Sequence, residues 1–197
     1  FLIGLSIDAY AMYIVFAGGM LLCFSKNRKV NYWGKVLFGF GLMFYGLSAM
    51  GDGLAALKEM PFFEQFAISM ANKPWLAMLV GVALTAIVQS SAATIGVVQK
   101  LYQASAITLG ASLPFMFGAN IGTTVTGILA SLGGTLAARR TAALHTVFNI
   151  IGTLVGMLLL TPFTAVVSSL STVMNLNPMM QIAFANIIFK VVTTVLF

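Results

Sequence analysis

Long apolar runs broken by short polar segments set the pattern of this chain. Residues 1–24 form one apolar run with Asp8 as its single charge, and residues 25–35 (SKNRKVNYWGK) gather Lys26, Arg28, Lys29 and Lys35 beside Tyr32 and Trp33. Clustered cations next to aromatic residues predict a cytoplasmic loop with interface anchors. Residues 36–57 predict a second span, and its glycines (Gly39, Gly41, Gly46, Gly51, Gly53) predict close packing inside a bundle. From 58 to 74 apolar and polar residues alternate at helical spacing, with Lys58, Glu59, Glu64 and Lys73, which predicts an interfacial amphipathic helix starting near Pro61. Asn72 and Pro74 read as the next helix start. Two apolar segments follow, 75–102 and 104–135, then Arg139 and Arg140, and a span at 141–161 that stops at Thr161-Pro162. A polar turn at 168–178 precedes a last helix at 179–197.

Counting crossings constrains the topology. With 25–35 cytoplasmic and Arg139/Arg140 on the same side, the chain between them crosses an even number of times. Residues 36–57 and 104–135 supply two crossings, so 75–102 is expected to dip into the membrane and return, as a re-entrant hairpin with its tip near Gln89. Composition agrees with a membrane setting: of 197 residues, 60% are hydrophobic and only 7% charged, and mean hydropathy is +1.02, whereas soluble chains are about a quarter charged. The net charge of +6 is scattered over connections, a pattern for anionic lipid and not for nucleic acid. Cys23 is alone, which excludes an intrachain disulfide. Phe1 already lies within an apolar run with no basic segment before it, so the chain reads as a piece of a longer protein.

Two polar runs interrupt the apolar segments. One is Gln89-Ser90-Ser91 with Thr94; the other is Gly118-Ala119-Asn120-Ile121-Gly122-Thr123-Thr124-Val125-Thr126, where the two glycines permit an unwound break and Pro114 lies upstream. Irregular backbone at membrane depth is tolerated only when buried in protein or lining a wet cavity, and paired interrupted segments point to a transporter binding site. Neutral hydroxyl, amide and carbonyl oxygens suit an alkali cation, while helix N-termini suit an anion. Neither run holds Asp, Glu, Lys or Arg, so an anion there needs its countercharge from elsewhere, and co-bound cations supply it. That combination points to sodium–anion cotransport and away from a carboxylate proton relay. The competing reading is structural, with hydroxyls bonding the preceding turn or a neighbouring helix.

Thr141, His145 and Asn149 share one helical face and are expected to point into the bundle, in structural hydrogen bonds first and ligand contact second. Gly152 and Gly156 form a GxxxG read as close helix packing, with dimerisation as the lesser option. Asp52, flanked by glycines, reads as interfacial or helix-capping. The twelve methionines read as lipid-facing or core filler.

TAIVQSSAAT at 85–94, FGANIGTTVT at 117–126 and AALHTVFNIIGTL at 142–154 together resemble the type II sodium–phosphate cotransporter family, most of all its bacterial members, over roughly 36–163. The resemblance implies an all-α polytopic protein of the cell (inner) membrane, with a re-entrant helical hairpin (75–102) and a broken helix (104–135), and one half of an inverted-repeat transporter. Residues 1–35 would end the first repeat, 36–163 form the second, and 164–197 hold a polar turn and terminal helix. It implies sodium and inorganic phosphate as co-substrates, no cofactor, and binding by Gln89, Ser90, Ser91, Thr94, Asn120, Thr123 and Thr124, with sodium held by Gln89, Ser90, Ser91, Asn120 and Thr123. Thr126, His145 and Asn149 would stand behind them. The family has a third Ser where this chain has Ala92, and a second Gln-Ser-Ser that is not found here, nor is the phosphate-regulator-like helical domain of bacterial members. The missing inverted-repeat half, or a second copy in a homodimer, is therefore the expected protein partner.

Two other function classes fit the residues less well. A passive channel or structural membrane subunit would use the same breaks without sodium coupling. An intramembrane serine hydrolase would need Ser112 as nucleophile with His145 as base. The chain is expected not to be an enzyme.

Overall fold

The computed structural model describes the backbone of residues 7–58 and 61–196. Among these the chain is helical throughout, without a strand. After a 3-10 turn at Ile7–Tyr10 come α1 (Ala11–Phe24), α2 (Arg28–Lys58), α3 (Pro61–Asn72), α4 (Pro74–Val88), α5 (Ser91–Gln103), α6 (Leu109–Gly122), α7 (Thr124–Ser131), α8 (Leu136–Leu158), α9 (Leu160–Val173) and α10 (Pro178–Leu196). Three helical stretches among the described residues are long and apolar enough to cross a membrane: Leu109–Ser131, Leu136–Leu158 and Pro178–Leu196. Residues 1–6 of the first predicted span, Glu59, and the side chains of Asp8, Lys58 and Glu64 lie outside the described residues.

Helix boundaries depart from the sequence reading at three places. The basic loop is only residues 25–27, because the Asn27 side chain accepts the amide of Lys29 (3.0 Å) and starts α2 at once. Arg28, Lys29 and Lys35 therefore ride on the first turns of α2, where Arg28 donates to the Tyr32 hydroxyl at 3.1 Å. The span expected to stop at Pro162 yields for one residue, Leu159, and resumes as α9. Proline sits there in a first helical turn, where its missing N–H is no loss. Ser168 and Ser169 consequently lie on α9, and the turn is confined to residues 174–177, with Asn175 in the left-handed region (φ 49°) and the Asn177 side chain accepting from Met180 at the start of α10 (2.9 Å). The helix expected near Pro61 is α3, and Pro74 opens α4 after Lys73.

α1 and α2 form an antiparallel pair whose axes approach closely. A Cβ on Gly18 would lie 2.4 Å from the Phe38 amide nitrogen, and one on Gly41 2.7 Å from that of Val15. Gly39, Gly46 and Gly53 face open space instead, so only part of the glycine stripe serves packing.

The core is built around α6, buried without interruption from Ala111 to Asn120. Its closest neighbour is α4, whose buried Ala77, Met78, Gly81 and Thr85 form one stripe at helical spacing. Gly81 meets the carbonyl of Phe115, Gly118 meets that of Met78, and Gly122 meets that of Val82. From Gly81 against Phe115 to Thr85 against Gly122 the partners advance together along both helices, so α4 and α6 run parallel, joined in sequence by the returning α5. Phe117 anchors the other side of α6: its ring packs on Phe163 of α9 (5.6 Å between centroids) and Phe189 of α10 (4.7 Å), with Gly156 of α8 against it. The Gly152/Gly156 motif is thus spent inside the chain, on Thr193, Phe189 and Phe117.

Candidate functional site

The first polar run sits where α4 ends and α5 begins. Gln89 takes a left-handed conformation (φ 57°, ψ 25°) with its amide still bonded to the Thr85 carbonyl at 2.7 Å. Ser90 is extended, and its hydroxyl accepts from the amide of Ala93 (3.2 Å) as the cap of α5. Reversal within two residues leaves the last carbonyls of α4 and the first amides of α5 without helical partners. Gln89 is exposed, and Ser90 and Ser91 are half-buried.

Behind the turn lies a short hydroxyl relay. Thr85 Oγ1 donates to Thr94 Oγ1 at 2.9 Å, and Thr94 Oγ1 donates to the Ser90 carbonyl at 3.2 Å. Both threonines are buried, at 0% and 1% exposure. Thr85 escaped the sequence reading although it stands one helical turn before Gln89 in the same run.

The second polar run is more regular than its glycines suggest. Gly118 and Gly122 keep helical backbone and serve close approach: added Cβ atoms would lie 2.0 Å from the Met78 carbonyl oxygen and 2.6 Å from that of Val82. The expected unwound break is a one-residue interruption at Thr123, itself in right-handed helical geometry (φ −62°, ψ −27°). Around it the side chains bond their own helix: Asn120 Nδ2 to the Met116 carbonyl (3.0 Å), Thr123 to Ala119 (2.8 Å), Thr124 to Ile121 (2.7 Å) and Thr126 to Thr123 (2.8 Å). Asn120 and Thr124 are buried. A hydroxyl that donates backward keeps its oxygen lone pairs, so these bonds orient acceptors without using them up.

Parallel packing of α4 on α6 puts the two runs at the same end of the pair. Gly122 touches the Thr85 side chain, where an added Cβ would lie 2.6 Å from Thr85 Cβ. Thr123 follows directly, and Gln89 lies one turn beyond Thr85. The turn also opens on a cavity of about 220 Å³ lined by Met43, Leu47 and Met50 of α2 with Ser90, Ala92 and Ala93. Ala92 therefore gives that cavity an apolar wall.

The α8 residues behave differently from expectation. Thr141 and His145 are exposed, and only Asn149 is buried. Asn149 Nδ2 donates to the His145 carbonyl (2.8 Å) and Thr141 to that of Ala137 (3.0 Å), so these bonds lie within one helix. The helix faces the core through Ala142, Asn149, Gly152, Thr153 and Gly156, a stripe that leaves 141 and 145 outside. The interhelical bond comes from Thr153, whose hydroxyl donates to the Phe117 carbonyl at 3.0 Å. Ser112 is buried and donates to the Thr108 carbonyl (2.8 Å), while His145 stands beside Gly127. Roughly 22 Å of nearly continuous helix separates the levels of 112 and 127, so the two never form a nucleophile–base pair.

Comparison with known proteins adds the following. A family model described as Na+/Pi-cotransporter matches residues 1–52 and 49–187. The Bacillus subtilis (strain 168) protein YqeW, itself uncharacterised, is 30% identical over 94% of this chain and 59% of its own length. Human sodium-dependent phosphate transport protein 2B is 29% identical over 70% of this chain and 21% of its own. A Salmonella typhimurium putative inorganic phosphate export protein, YjbB, is 25% identical over 80% of this chain and 29% of its own. The chain thus spans less than two thirds of each of these relatives. No solved structure matches it.

Proposed function

The chain belongs to the Na+/Pi-cotransporter family, and on that premise we propose that it is part of a secondary active transporter coupling sodium to inorganic phosphate by alternating access. Gln89, Ser90 and Ser91 at the turn, with Thr94 behind them, form one wall of the binding site; Asn120, Thr123 and Thr124 form the other, with Thr126 and Asn149 in support. Neutral oxygens replace the sodium hydration shell, and amides at the start of α5 face the phosphate. Bound sodium supplies the countercharge that both runs lack.

In this reading α4 and α5 are a re-entrant hairpin. Their lengths of 15 and 13 residues give roughly 22 and 20 Å, short of a hydrocarbon core of about 30 Å. Residues 1–35 end a first repeat and 36–163 form a second, inverted one, whereas the two family matches, 1–52 and 49–187, meet near residue 50. The protein lies in the cell membrane and works with its other repeat, on the same chain or a second copy.

The observation that carries the proposal is the Thr85–Gly122 contact, which brings both helix interruptions to one level. The experiment is labelled phosphate flux in proteoliposomes holding the full-length parent, under a sodium gradient and then with potassium replacing sodium. Flux that follows sodium supports coupling, and flux indifferent to the cation replaces it with a passive pore. Because the relatives' names divide between phosphate transport and phosphate export, the gradient is applied in both directions.

A further inference from the structure

α10 carries one charge, Lys190, in an otherwise uncharged helix of 19 residues. Its side chain is exposed on this chain and makes no ion pair or hydrogen bond among the described residues. The depth of this ammonium follows from its neighbours. α10 crosses α8 where Gly152 meets Thr193 and Phe189, and Lys190 lines a narrow cleft there with Phe148, Asn149 and Gly152. Gly152 lies roughly 18 Å along α8 from Arg140, past the middle of a core of about 30 Å. α8 runs antiparallel to α6 and α7, with Thr153 bonded to Phe117 and His145 beside Gly127. Lys190 is therefore about level with Asn120.

An unpaired ammonium at such depth is costly and calls for a partner. The surroundings distinguish between water and protein. Exposed Ile187, Val191, Val192 and Val195 flank Lys190, an apolar rim unsuited to an aqueous pathway. One turn before it, Asn186 keeps its Oδ1 buried without a hydrogen-bond partner. A single charge inside an apolar surface is the pattern of an intramembrane interface closed by one ion pair. Asp52 lies exposed six residues inside the C-terminal end of α2, and a second copy that brought it to Lys190 is the competing occupant, separated by the test below.

We propose that the outer face of α10 around Lys190 docks a transmembrane helix, outside the described residues, that bears a carboxylate at the same depth. The test uses the full-length parent in native membranes. Lys190→Cys, in a Cys23→Ser background, is exposed to a membrane-impermeant maleimide. Unfolding midpoints are measured for Lys190→Met, Lys190→Arg and Lys190→Asp, and the last is combined in turn with Lys at each intramembrane Asp or Glu of the parent. The expected result is no labelling, lowered midpoints for Met and Asp, a near-normal one for Arg, and recovery by one reversed pair. Rapid labelling would overturn the proposal in favour of a water-lined lysine. A Lys190→Met protein as stable as the parent would overturn it in favour of a lysine that reaches the lipid interface. Recovery that requires the reversed acid on a second copy of the chain would overturn it in favour of a homodimer contact.

Discussion

Thr85 and Thr94 face each other across the α4–α5 turn, hydroxyl to hydroxyl at 2.9 Å, and neither side chain reaches solvent. The bond ties the two limbs of the hairpin one turn below Gln89, and the Thr94 hydroxyl hands on to the Ser90 carbonyl. Thr85→Val keeps the shape and removes the donor. The expected loss is about 1 kcal/mol of stability, together with a higher half-saturating sodium concentration for phosphate flux. Thr85→Ser should retain both properties. Thermal unfolding and sodium titration of flux check the pair.

The α4–α6 seam depends on glycine. Gly118→Ala would drive a methyl into the Met78 carbonyl, 2.0 Å away, and overpacking of this kind costs about 1–3 kcal/mol. Gly39→Ala meets nothing within 4 Å and should gain up to about 1 kcal/mol in helix propensity. Opposite shifts of the unfolding midpoint for the two variants are the expected outcome.

Ala92 lines the cavity at the turn together with Ser90. Ala92→Ser adds a neutral oxygen there and is expected to lower the sodium concentration for half-maximal phosphate flux. An unchanged sodium titration would show that position 92 does not face the bound cation.

Gly156 packs on Phe189, with an added Cβ at 2.9 Å from its ring. Gly156→Ile should therefore lower stability and leave the oligomeric state in detergent unchanged, as read by light scattering. A GxxxG used between copies would give the reverse.

Apolar runs, prolines and caps made much of this fold legible in the sequence. The interruption at Gln89 was visible because polar residues cluster where an apolar helix should continue, and α3 because Pro61 opens an amphipathic pattern. Gly118 and Gly122 misled: the same missing Cβ permits either unwinding or close approach, and the carbonyls of Met78 and Val82 that decide between them are far away in sequence. His145 and Thr141 misled because helical spacing fixes a shared face but not which neighbour covers it. Thr85 and Thr153 went unread because a lone threonine in an apolar run carries no local sign of its partner, here Thr94 and the Phe117 carbonyl.

The central claim is that the turn at Gln89 and the interruption at Thr123 form one site. Its most direct measurement is sodium-dependent phosphate flux by the full-length parent carrying Gln89→Ala, Thr123→Val, and both together. One shared site predicts that each single variant raises the half-saturating sodium concentration and that the double variant falls well short of the combined effect. Fully additive effects, or a normal sodium dependence in either single variant, would contradict it.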